Sequence, residues 1–226
     1  MYSLALLNGG VGARVAAGQP KQLIRVNSIP TMVYPLVAAD AVPEITEIVL
    51  NYPAGWLEDI NRVVTDYAIK TPIKYVEAGN SRHESVAKML PLCSNDRVLL
   101  HETARPLVDR HDFAKLIADP HDNVSFMREI SFTVAPVDPV ARRVVGSLSE
   151  IACGTSNCRK NSQVDLVAAH EYAAREGVVF TEDATLCAVA NFDVYFIEGS
   201  DRNFKITTKT DVRLAGYLLS GDDEDE

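Results

Sequence analysis

The sequence predicts an α/β fold with a mostly parallel sheet flanked by helices. Three observations carry this expectation. Short apolar runs alternate with amphipathic segments of about ten to fourteen residues, the rhythm of βαβ units. Several of the runs are continuously apolar, as parallel strands covered on both faces are. The first run ends in a glycine-rich turn, Asn8-Gly9-Gly10-Val11-Gly12-Ala13-Arg14, and open α/β sheets bind ligands at such carboxyl-terminal turns.

In chain order, Tyr2–Leu7 reads as a buried strand and Thr31–Ala41 as a helix. Glu47–Tyr52, with Ile48, Val49 and Leu50, is the next strand. Gly55–Ala68 places Trp56, Leu57, Ile60, Val63, Val64 and Tyr67 on one helical face. Ile73–Glu77 is a strand, Ser81–Leu92 a helix, Asp96–His101 a central strand and Asp109–Ala118 a helix. Ser131–Val137 is a strand, Val164–Glu176 a helix, Asp193–Glu198 a strand and Thr210–Leu219 the last helix. Asp138–Gln163 has no helical period, so it is expected to leave the body as a protruding hairpin arm. One domain over residues 1–220 is expected, followed by a frayed acidic tail at 221–226.

The 226 residues are 47% hydrophobic and 23% charged, which fits a globular chain with a full core and excludes a disordered or disulfide-scaffold class. No apolar run reaches the length of a membrane span, and the start lacks the basic segment of a secretory leader. The net charge of −9 includes five acids in the tail. An acidic body argues against a nucleic-acid or anionic-membrane partner, but leaves room for a small phosphorylated ligand met by local cations. Cys93, Cys153, Cys158 and Cys187 lack the spacing of a zinc or redox motif. They are expected to be reduced, in a cytoplasmic protein.

Two cations follow the glycine turn. Arg14 offers a planar donor fork to phosphate oxygens and Lys21 a point charge; Lys21 stands in Pro20-Lys21-Gln22. The turn is neither a P-loop nor a dinucleotide fingerprint, because the required lysine-serine pair and the third glycine are missing. A dinucleotide oxidoreductase is therefore set aside.

With Gly9, Gly10, Gly12, Arg14, Pro20, Lys21 and Gln22 in place, the chain resembles the cytidylyltransferases of the 2-C-methyl-D-erythritol 4-phosphate and ribitol 5-phosphate type. The resemblance continues through Gly79-Asn80-Ser81-Arg82-His83-Glu84-Ser85-Val86, His101-Glu102-Thr103-Ala104-Arg105-Pro106, Thr181-Glu182-Asp183-Ala184 and Asn203-Phe204-Lys205-Ile206-Thr207. It departs at five places. Ala78 stands where the family has a glycine, Glu102 replaces an aspartate, and Pro139 follows Asp138 where the family has a threonine. The family's Gln-Thr-Pro-Gln block is reduced to Lys160-Asn161-Ser162-Gln163, with only Gln163 in register, and its arginine about ten residues earlier falls at Cys153.

The resemblance implies a Rossmann-like nucleotidyltransferase fold and a CTP-dependent reaction with Mg²⁺. In it, an acceptor oxygen attacks the α-phosphorus and pyrophosphate leaves. It implies Arg14, Lys21 and Lys205 as catalytic cations. Leu7, Asn8, Gly9, Gly10, Val11, Gly12, Gly79, Arg82, Ser85, Glu102 and Thr103 would line the nucleotide, with Glu102 also on the metal side. Arg105, Asp138, Gln163 and Thr181 would face the acceptor. His101 reads as a satisfied histidine at a strand end. A homodimer is implied by resemblance alone. Because the acceptor block diverges, the expected partner besides CTP is an unspecified phosphorylated polyol, sugar or phosphonate. The isoprenoid precursor ranks last, since its contact residues are the ones replaced. Use of another nucleoside triphosphate, or a degenerate CTP-binding regulatory role, are the alternatives.

Overall fold

The computed structural model describes residues 1–10, 18–129, 137–138, 140, 143–144 and 153–221. Seven strands form the main sheet: β1 Tyr2–Leu7, β2 Ile45–Tyr52, β3 Ile73–Glu77, β4 Arg97–Glu102, β5 Val124–Glu129, β6 Cys153–Ser162 and β7 Tyr195–Glu198. Their spatial order is β7-β5-β6-β4-β1-β2-β3. Pairing is parallel for β1 with β2 and β4, for β2 with β3 and for β5 with β7, whereas β6 runs antiparallel to both its neighbours. The helices are α1 Val33–Asp40, α2 Leu57–Asp66, α3 Arg82–Met89, α4 Arg110–Ala118, α5 Gln163–Glu176, α6 Asp183–Val189 and α7 Lys209–Leu219.

The period of two along the strands divides the core between the two faces of the sheet. Leu4, Leu6, Ile48, Leu50 and Leu99 face Leu36 of α1, Ile60 of α2 and Phe113 of α4. Ala5, Leu7, Val49, Val98 and Leu100 face Val86 and Met89 of α3, Leu166 and Ala169 of α5 and Leu186 of α6. Strands covered on both sides are usually apolar almost throughout, which is why these runs were legible as strands.

Capping sets several helix starts. Asp109 and Thr208 form capping boxes with Asp112 and Asp211, and the Ser81 hydroxyl accepts from the Glu84 amide. At the other end of α5, Gly177 holds φ +65°, the left-handed stop that glycine adopts without strain.

The main departure from expectation is β6. Its ten residues, Cys-Gly-Thr-Ser-Asn-Cys-Arg-Lys-Asn-Ser, lie within the stretch expected to leave the body, yet they form a strand in the middle of the sheet. Hydropathy cannot find such a strand because Arg159, Lys160 and Asn161 are buried polar side chains held by polar partners. Lys160 Nζ donates to the Asp119 carbonyl at 2.5 Å, Asn161 Nδ2 donates to Asn123 Oδ1 at 3.1 Å, and Arg159 meets two carboxylates. Strand β5 and helix α6 were likewise not expected. The strand anticipated at Ser131–Val137 lies outside the described residues except for Val137, which pairs with Val144 in a short ladder. Cys93, Cys158 and Cys187 are buried free thiols. Burial pushes the first and last up to about 12 and Cys158 higher still.

Candidate active site

A pocket of about 560 Å³ opens at the carboxyl ends of four adjacent parallel strands. Glu102 closes β4, Leu7 closes β1, Asn51 lies near the end of β2 and Glu77 closes β3, and all four line it. Strands lie about 4.8 Å apart, so the pocket spans roughly 14 Å from the Glu102 end to the Glu77 end. Lys21, Lys205 and Arg82 also line it.

The turn after β1 is held by two side-chain amides. The Asn8 amide donates to Asn51 Oδ1, and Gln22 Nε2 donates to the Asn8 carbonyl. Gln22 belongs to the one-turn helix Lys21–Leu23 and is only 2% exposed. Anchoring it presents its neighbour Lys21 to the pocket beside Gly10, where an added Cβ would lie 3.6 Å from Lys21 Cε. Gln22 is thus the brace of the Pro-Lys-Gln triplet, and Asn51 its counterpart on β2. Sequence reasoning assigned a role to neither. The triplet pointed to the first, but nothing in an apolar run marked the second.

The opposite wall is the turn before α3. Ser85 Oγ accepts from the Gly79 amide at 3.0 Å and donates to the Ser81 carbonyl at 2.8 Å, while Glu84 Oε2 accepts from the Asn80 amide at 2.8 Å. A Cβ at Gly79 would lie 2.6 Å from Glu84 Cγ, so only glycine lets the chain approach this closely. The Ser85 hydroxyl therefore shapes the wall by bonding within it. Thr103 ties the β4 and β1 ends together, its amide and hydroxyl donating to the Leu7 carbonyl at 3.0 and 3.2 Å.

Charge gathers around Glu102. Its Oε2 lies 2.5 Å from Lys205 Nζ and its Oε1 lies 3.0 Å from Arg82 Nε. Burial would raise its pKa, but the two cations outweigh burial and hold the carboxyl at about 2. Arg82 NH1 turns the other way, to Asp183 Oδ2 at 2.7 Å. Asp183 is fully buried and also meets Arg159 NH1 at 3.4 Å and His170 Nε2 at 3.6 Å. Burial opposes its ionisation, yet Arg82, the His170 contact and Arg159 hold it far below the usual carboxylate range. Asp183 was quoted as part of a matching block, but its function as a hub was not foreseen. At His101, expected to be satisfied at a strand end, Nε2 lies 3.1 Å from the Arg105 carbonyl, while Nδ1 is buried with no hydrogen-bond partner among the described residues.

Of the expected nucleotide residues, the pocket gathers Leu7, Gly9, Gly10, Gly79, Arg82, Ser85, Glu102 and Thr103, together with the cations Lys21 and Lys205. Asn8 supports it from beneath through the backbone bonds described above. Arg14, Val11 and Gly12 lie outside the described residues.

The acceptor-side expectations fare differently. Gln163 begins α5 at the opposite edge of the sheet, because β6 runs antiparallel. Its Nε2 donates to the Leu90 and Cys93 carbonyls at 3.2 and 2.9 Å, and it does not line the pocket. Arg105 does not line the pocket; its NH1 donates to the Asn203 carbonyl at 2.7 Å and so fixes the loop that carries Lys205. Thr181 is exposed ahead of α6 and does not line the pocket. Asp138 is placed by its backbone alone, opposite Arg143.

For Glu102 as a metal-side residue, the donor set is informative. Both of its oxygens are engaged by cations, and no cluster of three or more His, Cys, Asp or Glu suited to a metal occurs among the described residues. This arrangement does not make a resident metal cage. It fits an ion that arrives on phosphate oxygens and keeps most of its waters, as Mg²⁺ does.

A mostly parallel α/β sheet whose carboxyl edge opens into a pocket lined by Lys21, Arg82 and Lys205 fits a nucleotidyltransferase. The chain belongs to the family whose model is described as "IspD: 2-C-methyl-D-erythritol 4-phosphate cytidylyltransferase", which matches residues 4–221. Among its relatives, the 2-C-methyl-D-erythritol 4-phosphate cytidylyltransferase of Chlamydia caviae is 30% identical over 219 residues, covering 96% of this chain and 98% of the relative. The enzyme of the same name from Bacillus pumilus is 26% identical over 231 residues, covering 98% of each. The fold is shared with 4-diphosphocytidyl-2C-methyl-D-erythritol synthase from Anaerococcus prevotii, at TM-score 0.83 and 22% identity over 97% of this chain and 96% of that one. It is also shared with the Thermus thermophilus 2-C-methyl-D-erythritol 4-phosphate cytidylyltransferase, at TM-score 0.76 and 23% identity over 97% of this chain and 100% of that one.

Proposed function

We propose that the protein transfers a cytidylyl group from CTP to 2-C-methyl-D-erythritol 4-phosphate. The family model and the names of the relatives support this acceptor, reversing the low rank that Pro139 and the other replaced contact residues give it on sequence grounds. The observation that carries the reaction class is the convergence of Lys21, Lys205 and the Arg82–Glu102 pair on one pocket.

The acceptor's phosphate oxygen attacks the α-phosphorus of CTP. A new oxygen–phosphorus bond forms, the bond to the β-phosphate oxygen breaks, and pyrophosphate departs with the electron pair. The acceptor is already an anion, so no strong general base is needed. The protein's work is positioning and charge neutralisation. Lys21 and Lys205 stabilise the charge on the α-phosphate and the leaving group. The Gly9–Gly10 turn lets phosphate oxygens approach the backbone, and the Gly79–Ser85 turn meets the pyrimidine. Glu102 is the carboxylate nearest to where a phosphate-borne Mg²⁺ would sit, and that ion would supply further charge neutralisation. Action as a homodimer is part of the same proposal and rests on the family resemblance, and a cytoplasmic setting rests on the cysteines being expected to stay reduced.

A pyrophosphate-release assay with CTP, Mg²⁺ and a panel of acceptors tests it. Fastest turnover is expected with 2-C-methyl-D-erythritol 4-phosphate. Faster turnover with ribitol 5-phosphate or an alkylphosphonate would reassign the acceptor, and binding of CTP with no turnover on any acceptor would favour the regulatory reading.

A further inference from the structure

Asp183 lies outside the pocket, yet it is bonded to the side chain that holds the pocket's anion. Its side chain is 2% exposed, against 19% for Arg82 and 35% for Lys205. Arg82 spends its donors on two different carboxylates: Nε on Glu102 Oε1 at 3.0 Å and NH1 on Asp183 Oδ2 at 2.7 Å. Glu102 is divided in turn, Oε1 to Arg82 and Oε2 to Lys205 at 2.5 Å. From the interior to the pocket the charges therefore alternate: Asp183, Arg82, Glu102, Lys205.

A guanidinium beside a single carboxylate prefers the two-pronged arrangement, which uses both oxygens. Here Nε faces Glu102 while NH1, on the other edge of the guanidinium, is held beside Asp183; this sets the tilt of the guanidinium so that it meets Glu102 through Oε1 alone and Oε2 is left to the ammonium of Lys205. We propose that Asp183 is a positioning residue for the transfer reaction: by dividing the Arg82 guanidinium, it keeps a Glu102 oxygen for Lys205 and so fixes that cation at the pocket. Asp183 acts without touching substrate. Its other partners, Arg159 and His170, hold it in place from the far side.

The kinetic part of this inference rests on the nucleotidyltransferase reading, and the structural part does not. In a crystal structure of Asp183→Asn, the Arg82 guanidinium should swing onto both oxygens of Glu102 and Lys205 should leave it. Retention of the Lys205–Glu102 pair with Arg82 still reaching residue 183 would overturn the proposal, whatever the protein's substrate.

In the pyrophosphate assay, Asp183→Asn should lower kcat at least tenfold while the KM for CTP changes less than threefold, since Lys205 acts on charge that develops in the transition state. Arg82→Lys covers the case in which the first variant does not fold. A single ammonium cannot span Asp183 and Glu102, so the same fall in kcat is expected, and wild-type kcat in that variant overturns the division of the guanidinium. His170→Gln removes a partner of Asp183 that touches neither Arg82 nor Glu102, and leaves Arg159 and Arg82 to hold Asp183 in place. It should lower the melting temperature and leave kcat within twofold, whereas a tenfold fall in kcat would show that any damage to the hub suffices and that Arg82 has no special part. Lack of turnover by the wild-type protein with every acceptor would count against the transferase reading alone, because the crystallographic outcome would still decide the role of Asp183.

Discussion

Gly9 and Ala78 share room for one methyl group: a Cβ on Gly9 would lie 2.4 Å from the Cβ of Ala78 and 2.9 Å from Asn51 Nδ2. Ala78 stands where the resemblance expects a glycine, and the bare backbone of Gly9 is what accommodates it. The first turn of the pocket and the wall opposite are therefore fitted to each other across β1, β2 and β3.

Gly9→Ala should destabilise the protein by about 1–3 kcal/mol through overpacking, and should weaken CTP binding by displacing the turn. Adding Ala78→Gly should restore most of the loss, leaving only the Asn51 contact. Urea denaturation of the two variants measures this. Equal stability of the single and double variants would show that the methyl contact is unimportant.

Lys21 reaches the pocket from a turn that Gln22 anchors independently. Lys21→Ala should consequently lower kcat/KM by about a hundredfold or more with an unchanged melting temperature. Gln22→Ala should reduce both activity and stability, because it frees a buried carbonyl as well as the lysine. Steady-state kinetics alongside thermal unfolding separates the two.

His101 is fully buried, and burial pushes its pKa down to about 4 against the Arg105 carbonyl contact and the Glu102 charge, which favour the proton; the Arg105 charge adds to the lowering. Between pH 6.5 and 4 the unfolded chain binds a proton at this position that the folded chain does not. Stability should thus be complete above pH 6.5 and fall as the pH drops through this window, by about 3 kcal/mol at most. Glu102, depressed to about 2, extends the loss below pH 4.5. His101→Gln keeps a donor for Arg105 and should flatten the slope between pH 6.5 and 4, as melting temperatures over that range would show.

Arg159 is 1% exposed and pairs with Glu182 and Asp183. Arg159→Met leaves two carboxylates with less compensation in the interior, and should destabilise the fold by about 3–5 kcal/mol. A change below 1 kcal/mol in urea unfolding would mean that the remaining cations suffice.

How much of this was legible in the sequence follows from what each residue does. Leu4–Leu7, Ile48–Leu50 and Val98–Leu100 are buried on both faces of the sheet, so their apolar runs announced themselves. Lys21, Arg82 and Lys205 were found because they stand in family motifs, and the structure gathers them. Strand β6 was missed because Arg159, Lys160 and Asn161 obey pairing rules that no hydropathy pattern records. The position of Gln163 was hidden for the same reason: once β6 runs antiparallel, the residue after it emerges beside the start of β4, away from the pocket. Asp183 and Asn51 act through partners distant in the chain, and a one-dimensional reading holds no trace of those partners.

The central claim is that one triphosphate is held between Lys21 and Lys205 at the carboxyl ends of β1 and β4. A crystal structure of the protein with CTP tests it most directly. The account predicts phosphate oxygens within ion-pair distance of both ammonium groups, and the base against the Gly79–Ser85 turn. A nucleotide bound elsewhere, or bound with either lysine turned away from the phosphates, would contradict it.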